Sequence, residues 1–527
     1  MSRPLLALAL IAYAVLGILP LAVMLLRMDG ADLAGLLDAR TASLLGRTVL
    51  LGGATALLAL LVGLPFGFLV ARTDLPGAGL LRALGVVPLL IPPLFLAMTW
   101  CVLLPDLRGA PAAIGVLALS TFPLVGVFAG RAFERIDARQ EEAALLAGGL
   151  RAALRMELPL VLPAACAGAC LAFAFAVNDF GVPDYVSSVG VKFNVYADEI
   201  HFNWNQTHAP GKPVATALPL IALTLLALVP ALALRRRGAM ASLAGGFRSP
   251  APLALGRWRW PACALAAAVV LLGAGIPLGR LFWEAGNMPR HAAEHGLSSA
   301  AAWTAGWSSA REAFGLAIER ARGDIRNSLV YSAAAALCAV PLGLVLGHAI
   351  ERARPREGRL LELAALLPLA APAILFGIGI ITLWNRDATA ALYDSSAMAV
   401  MLLVGRFAAF PVLISSGATA ALDPRLEEAG ALAGARPARR LLSIVAPSLR
   451  GALAGGFVLA FVLAMRDLDS AILVPAMNQT AIFRAFNGVH FGRDSYVAAL
   501  SLLLVFAVVL PGLVYTLFAR RRLEVLP

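Results

Sequence analysis

The sequence predicts an all-α membrane protein of about twelve transmembrane helices, arranged as two parallel six-helix repeats. Three observations carry this. The 527 residues are 60% hydrophobic and only 14% charged, with a mean hydropathy of +0.83; soluble domains carry roughly 25% charged residues, so a water-facing surface of this size cannot be built. The apolar residues fall in runs near the ~20 residues that cross a hydrocarbon core about 30 Å thick. Residues of the first half also recur in the second at a nearly constant offset.

In chain order, the first run lies near 4–26, after Arg3. It is longer than the roughly 7–15-residue core of a cleaved signal peptide and is expected to remain as a span. The next runs lie near 47–71, 83–104, 111–130, 156–177 and 213–234, completing the first repeat over 1–237. Residues 238–259 contain Gly, Ser and Pro, follow the Arg235–Arg237 stop signal and read as a cytoplasmic linker. The second repeat, 260–527, holds runs near 260–283, 327–350, 360–383, 397–421, 451–473 and 495–518. Six spans per half leave both halves in one orientation, which makes the repeat parallel.

The 43 basic against 31 acidic residues need no nucleic-acid partner, because the excess sits at helix ends. Alternate connections hold Arg72 and Arg82, then Arg131 to Arg155, Arg235–Arg237, Arg352 to Arg359, Arg425 to Arg440 and finally Arg520–Arg522. The positive-inside rule puts these connections, and both termini, in the cytoplasm. The long segment 284–326 carries several arginines on the opposite side, where long loops obey the rule poorly. Only Lys192 and Lys212 are lysines, followed by Phe193 and Pro213, so neither makes a phosphate-binding Walker loop. Cys101, Cys166, Cys170, Cys263 and Cys338 lie in apolar runs without CxxC spacing and read as small hydrophobes.

The repeat is visible residue by residue. Phe122-Pro123 recurs as Phe410-Pro411, Glu141-Glu142-Ala143 as Glu427-Glu428-Ala429, Leu171-Ala172-Phe173 as Leu459-Ala460-Phe461, and Asp179 as Asp467. Earlier, Pro88 and Pro92 recur as Pro368 and Pro372. The most informative copies are 136–148 and 422–434. Each reads as a short helix, capped by Asp137 with Gln140 three residues on, or by Asp423 with Pro424 at the first helical position. Gly148 and Gly434 suit the left-handed turn that ends a helix. Acids at the N-terminal end, alanines in the middle and a closing glycine make a compact cytoplasmic knob, and the glutamates can cap the helix or meet a partner's arginines.

At this point the sequence resembles the permease subunits of binding-protein-dependent ABC importers, whose EAA loop reads Glu-Ala-Ala-x-x-x-Gly, nine residues, then Ile-x-Leu-Pro. The second copy matches at Glu428, Ala429, Gly434, Ile444 and Pro447, departing at Gly430 and Ala446. The first matches at Glu142, Ala143, Ala144 and Gly148, but Pro159 arrives two residues early, which implies a tighter turn after that knob. The resemblance implies a type I importer permease fold in the bacterial inner membrane. It also implies two cytoplasmic ABC ATPase subunits that bind ATP and magnesium, and a periplasmic solute-binding protein. Glu141, Glu142, Ala143, Ala144 and Gly148, with Glu427, Glu428, Ala429 and Gly434, would be the ATPase-coupling residues. The chain itself would bind no cofactor and catalyse no reaction. The fused double length is similar to the ferric-iron and thiamine uptake group, and Asn178-Asp179-Phe180-Gly181-Val182-Pro183 and Arg466-Asp467-Leu468-Asp469 resemble its iron-type segments. Ferric iron is thus the expected solute, with thiamine, phosphonate or an ion-coupled secondary transporter as the alternatives.

Asp179, Asp184, Asp467 and Asp469 lie where the fifth span of each half meets the periplasm. Carboxylates suit a hard cation and acids beside a membrane path are functional suspects, although capping of helix ends or contact with the binding protein is the plainer reading. His201, His208, His291, His295 and His490 fall in outside loops. His291-Ala-Ala-Glu294-His295 spells the H-x-x-E-H of an inverted zinc protease without the rest of that machinery, while sharing a helix face would let His291 and His295 bind a metal ion only adventitiously. Tyr185, Phe193, Tyr196, Phe202 and Trp204 in 178–212 offer either a docking surface or interfacial anchors. The Asn205 and Asn478 sequons are chance matches.

Overall fold

A computed structural model describes residues 3–29, 38–207, 211–240, 248, 250–473, 478–490 and 494–523. The expected His208 and part of the linker, 241–247 and 249, lie outside these residues. The described residues are helical, with one isolated bridge between Thr73 and Leu253. Among them, 8 helices are long and apolar enough to cross a membrane, or up to 12 when each sharply bent pair is counted as one span. The bent pairs account for apolar runs that no single straight helix covers.

Two of these bends are copies of one another. Ala78–Leu90 meets Pro93–Leu103 at 94°, and Pro355–Ala370 meets Ala373–Trp384 at 96°. The cause is local. Ile91 and Ala371 precede Pro92 and Pro372 and are extended, with ψ of 128° and 134°, because the proline ring excludes the helical conformation from the residue before it.

Small residues let neighbouring helices touch in both repeats. On the Ala39–Arg72 helix, a Cβ at Gly63 or Gly67 would lie 2.6 Å from the backbone oxygens of Phe122 or Gly126. On the Ala300–Arg352 helix, Gly343 and Gly347 meet Pro411 and Val412 in the same way. Such small-xxx-small spacing replaces the hydrophobic drive that apolar lipid removes between membrane helices.

The chain divides into two compact units: Met1–Leu36 with Ile200–Leu218 and Phe282–Pro527, and Leu37–Glu199 with Pro219–Leu281. These do not follow the repeat boundaries expected from sequence. The N-terminal helix packs among second-repeat helices, where Tyr13 Oη donates to Ala365 O at 2.6 Å and Gly17 seats Pro368. The seventh span does the converse in the other unit, Gly273 lying against Pro88. The described end of the expected linker is not a free tether. Leu253 exchanges backbone hydrogen bonds with Arg72 and Asp74, and Leu255 N donates to Asp74 Oδ1 at 2.9 Å.

Two further segments expected as loops are helical. Gly181–Val189 and Tyr196–Thr207 lie within 178–212, and there Tyr185, Phe193 and Tyr196 are buried, which removes three of the five aromatics from a docking surface. Met288–His295 and the beginning of the 53-residue Ala300–Arg352 helix fill 284–326. Alanine-rich stretches with glutamate and arginine have high helix propensity, so the span expected at 327–350 starts far earlier.

Candidate functional site: two anchored knob helices

Both expected knobs are present. In the first, Asp137 accepts a hydrogen bond from Arg139 N at 2.9 Å; in the second, Asp423 accepts from Arg425 N at 2.9 Å. The cap therefore works without the reciprocal box expected from Gln140, whose backbone N–H bonds to Asp137 O instead. The second knob, Pro424–Leu432, ends where expected, with Gly434 at φ +77°. In the first knob the left-handed residue is Gly149, at φ +67°, while Gly148 is extended at φ −169°. The two glycines share the break, so the first turn sits one residue later than its sequence copy.

The two acids of each pair do different work. Glu141 is buried and ion-paired with Arg72, whose guanidinium also reaches Glu157 at 3.3 Å and donates to Ala251 O at 2.8 Å. Arg72 closes the earlier Ala39–Arg72 helix, so one buried cation ties that span, the knob, the span that follows the knob and the linker together. Glu142 points outward and makes an exposed ion pair with Arg248 at 3.2 Å. In the second knob Glu427 takes the inner role, bonded to His348 Nε2 at 2.8 Å and Arg352 Nε at 2.9 Å. Burial opposes its charge, but those two hydrogen bonds prevail and hold its carboxyl below the usual range. Glu428 is exposed. Arg72 and Arg352 had been read only as topology signals.

With the inner acids anchored, the outer face of each knob is open. Ala143 and Ala429 are exposed, and Leu146 and Leu432, copies at one offset, are 90% and 91% exposed. An isolated exposed leucine is ordinary, but here the same near-complete exposure recurs at the same position of two capped, anchored helices. The sequence contained the signal, since both leucines lie inside the repeated stretch.

The expected solute-path acids are engaged locally. Asp179 Oδ1 accepts from Val182 N at 2.8 Å, and Asp467 Oδ1 from Ser470 N at 3.4 Å, so both cap the short helix after their span. Arg406, unremarked within its apolar run, lies 3.2 Å from Asp467 and 3.9 Å from Asp469, and donates to Ser470 Oγ at 2.8 Å. Its position in the first repeat is Ala118, so this ionic cluster has no copy there. Asp467 Oδ2 is buried without a hydrogen-bond partner and borders a small cavity lined by Ser328, Tyr331, Ser332 and Thr480. Asp184 and Asp179 lie close enough to Asp198 to add to its charge repulsion. Burial first, and then these acids and Glu199, push the Asp198 carboxyl up to about 7, against a hydrogen bond from Val195 N.

Residues 63–238 and 339–524 each match the family described as binding-protein-dependent transport system inner membrane component. A molybdate/tungstate transport system permease protein of Thermococcus kodakarensis is 32% identical over 141 residues, 25% of this chain and 56% of that protein. The molybdenum transport system permease protein of Escherichia coli K12 is 31% identical over 169 residues, 27% of this chain and 72% of its own length. The putrescine transport system permease protein of the same organism is 28% identical over 215 residues, 40% and 76% of the two chains. The chain thus spans little more than half the length of the archaeal relative. These names carry molybdate, tungstate, molybdenum or putrescine, and neither the ferric iron nor the thiamine expected from sequence.

Proposed function

The chain belongs to the family of binding-protein-dependent transport system inner membrane components, which it matches twice in one polypeptide, and from that premise we propose that it supplies both transmembrane halves of an ATP-driven importer. Two cytoplasmic ATPase subunits that bind ATP and magnesium would dock on the two knobs, and a periplasmic binding protein would deliver the solute. The observation that carries this reading is the paired construction of the knobs. Each inner acid, Glu141 or Glu427, is fastened to the preceding long helix, and each outer face presents an alanine and an almost fully exposed leucine. Force applied to such a knob passes to a membrane helix through a charged joint. A flexible surface loop would absorb it.

For the solute we propose a small tetrahedral oxyanion of the molybdate class, supported by the relatives above 30% identity. Iron finds no support among the relatives, and of the carboxylates expected to meet it Asp179 and Asp467 bond to helix N-terminal amides while Asp467 and Asp469 pair with Arg406. A second reading, a cationic amine, is favoured by the putrescine relative.

The test is reconstitution in vesicles with the co-purifying ATPase and binding protein. Glu142→Arg with Glu428→Arg, and separately Leu146→Asp with Leu432→Asp, should leave the chain inserted but uncouple ATP hydrolysis from uptake. Unchanged uptake in both double variants would sink the coupling assignment. Molybdenum or tungsten on the binding protein would support the oxyanion, and a bound polyamine would replace it with the second reading.

A further inference from the structure

The Met288–His295 helix lies at the opposite end of the Ala300–Arg352 helix from the joint of the second knob. It packs on the beginning of the Ala300–Arg352 helix, with Met288 over Gly306 and the Trp283 and Trp303 rings 5.8 Å apart beside it. From Ser309 to Arg352, where the second knob is anchored, this helix covers about 65 Å at ~1.5 Å per residue. On the short helix, His291, Glu294 and His295 occupy positions i, i+3 and i+4 and share one face. One ligand atom from each lies within 4.8 Å of the others, and among the described residues this is the one such group.

The orientation of His291 is set by its neighbours. Its Nε2 is 2.9 Å from Ser309 Oγ. Its Nδ1 is buried without a hydrogen-bond partner and faces Glu294 Oε2 at 3.9 Å, beyond hydrogen-bond reach. The other carboxylate oxygen, Oε1, accepts from Arg290 Nε at 2.8 Å. In the tautomer in which Ser309 accepts the Nε2 proton, Nδ1 presents a lone pair towards a carboxylate oxygen, leaving a gap between two electron-rich atoms that a bound metal ion would fill. Metal-ligating histidines are commonly held in this way, the distal nitrogen fixed by a hydrogen bond so that the other is aimed.

We propose that His291 Nδ1, Glu294 Oε2 and His295 form a binding site for a borderline divalent metal ion, Zn2+ in the first instance. Two imidazoles and a carboxylate match the donor preference of zinc, with nickel and cobalt served by the same set. Ligand atoms around a tetrahedral ion with bonds of about 2.1 Å stand roughly 3.4 Å apart. The site closes to that spacing by rotation of His295 and Glu294, both exposed side chains at the end of the helix. Three protein ligands leave a fourth position for water, which makes the ion exchangeable from the solvent. Arg290 lowers the affinity by sharing Glu294, and Ser309 is a positioning residue.

The experiment uses the full chain, extracted in detergent through a histidine-free tag and titrated with Zn2+ against a chromophoric chelator, then with Co2+ followed by visible absorption. One saturable Zn2+ per chain is expected, with a tetrahedral Co2+ band. His295→Ala, an exposed position that leaves the packing of the helix intact, should weaken binding at least tenfold. Glu294→Gln should weaken it as well, and Ser309→Ala by about tenfold, as expected when an outer partner is lost. No saturable binding, or parent-like binding in His295→Ala, would overturn the site and assign any residual uptake to other histidines.

Discussion

Arg72→Ala is the most discriminating perturbation of the first knob. Its guanidinium is all but buried, as are Glu141 and Glu157, with side-chain exposures of 2%, 5% and 1%. Removing one partner of a buried pair costs about 3–5 kcal/mol, because the remaining charge stays in low dielectric. The free energy that holds 138–147 closed should therefore fall by at least ~3 kcal/mol, and at ~1.4 kcal/mol per decade its amides should exchange about 100-fold faster. Hydrogen exchange with mass spectrometry on the solubilised chain reads this directly. Arg352→Ala is the matched control. There Glu427 keeps His348 at 2.8 Å, and the arginine is 25% exposed, so a loss of ~1–2 kcal/mol and roughly tenfold faster exchange over Pro424–Leu432 are expected. Unchanged protection of 141–147 in Arg72→Ala, or equal acceleration of the two knobs, would refute the anchoring argument.

Gly149→Ala and Gly434→Ala should each cost about 1–2 kcal/mol, because both residues have positive φ, and each should loosen its own knob and not the other in the same exchange experiment. Asp198 gives a pH signature. With its native carboxyl at about 7 and an unfolded one near ~3.9, the native chain holds an extra proton between those values, so stability falls as pH rises through that window and levels off above it. Thermal melts should accordingly find Asp198→Asn more stable than the parent at pH 8, with the gap shrinking towards pH 5; a gap independent of pH would show that the carboxylate is not the cause.

What could be read beforehand depended on how far the chain had to reach. The proline bends, the knob caps and the second left-handed glycine are decided within a few residues, and sequence spacing located them. The partners of the knob acids are not local. Arg72 lies 69 residues before Glu141 and Arg352 lies 75 before Glu427, and both arginines carried a sufficient alternative explanation as inside-facing charges. Arg406 escaped notice because one charge hardly alters the hydropathy of a long run, and its meaning depends on Asp467 and Asp469 from another helix. The units exchanging their first helices could not be read from repeats at all, since a repeat records ancestry and packing records neighbours. The low hydropathy of 284–326 points to a loop, while its alanine, glutamate and arginine content favours the water-facing helix that forms there.

The Ala300–Arg352 helix, described above for its glycine contacts, is also a beam. Its 53 residues run about 80 Å, well over twice the ~30 Å hydrocarbon thickness, so much of it stands clear of the bilayer. One end carries Arg352, the joint of a knob, and the other carries the Met288–His295 helix. If the membrane holds such a beam as a fulcrum, a tilt of about 5° shifts one end relative to the other by roughly 7 Å. A small rotation at the knob is thereby converted into a displacement large enough for a protein on the opposite face to register.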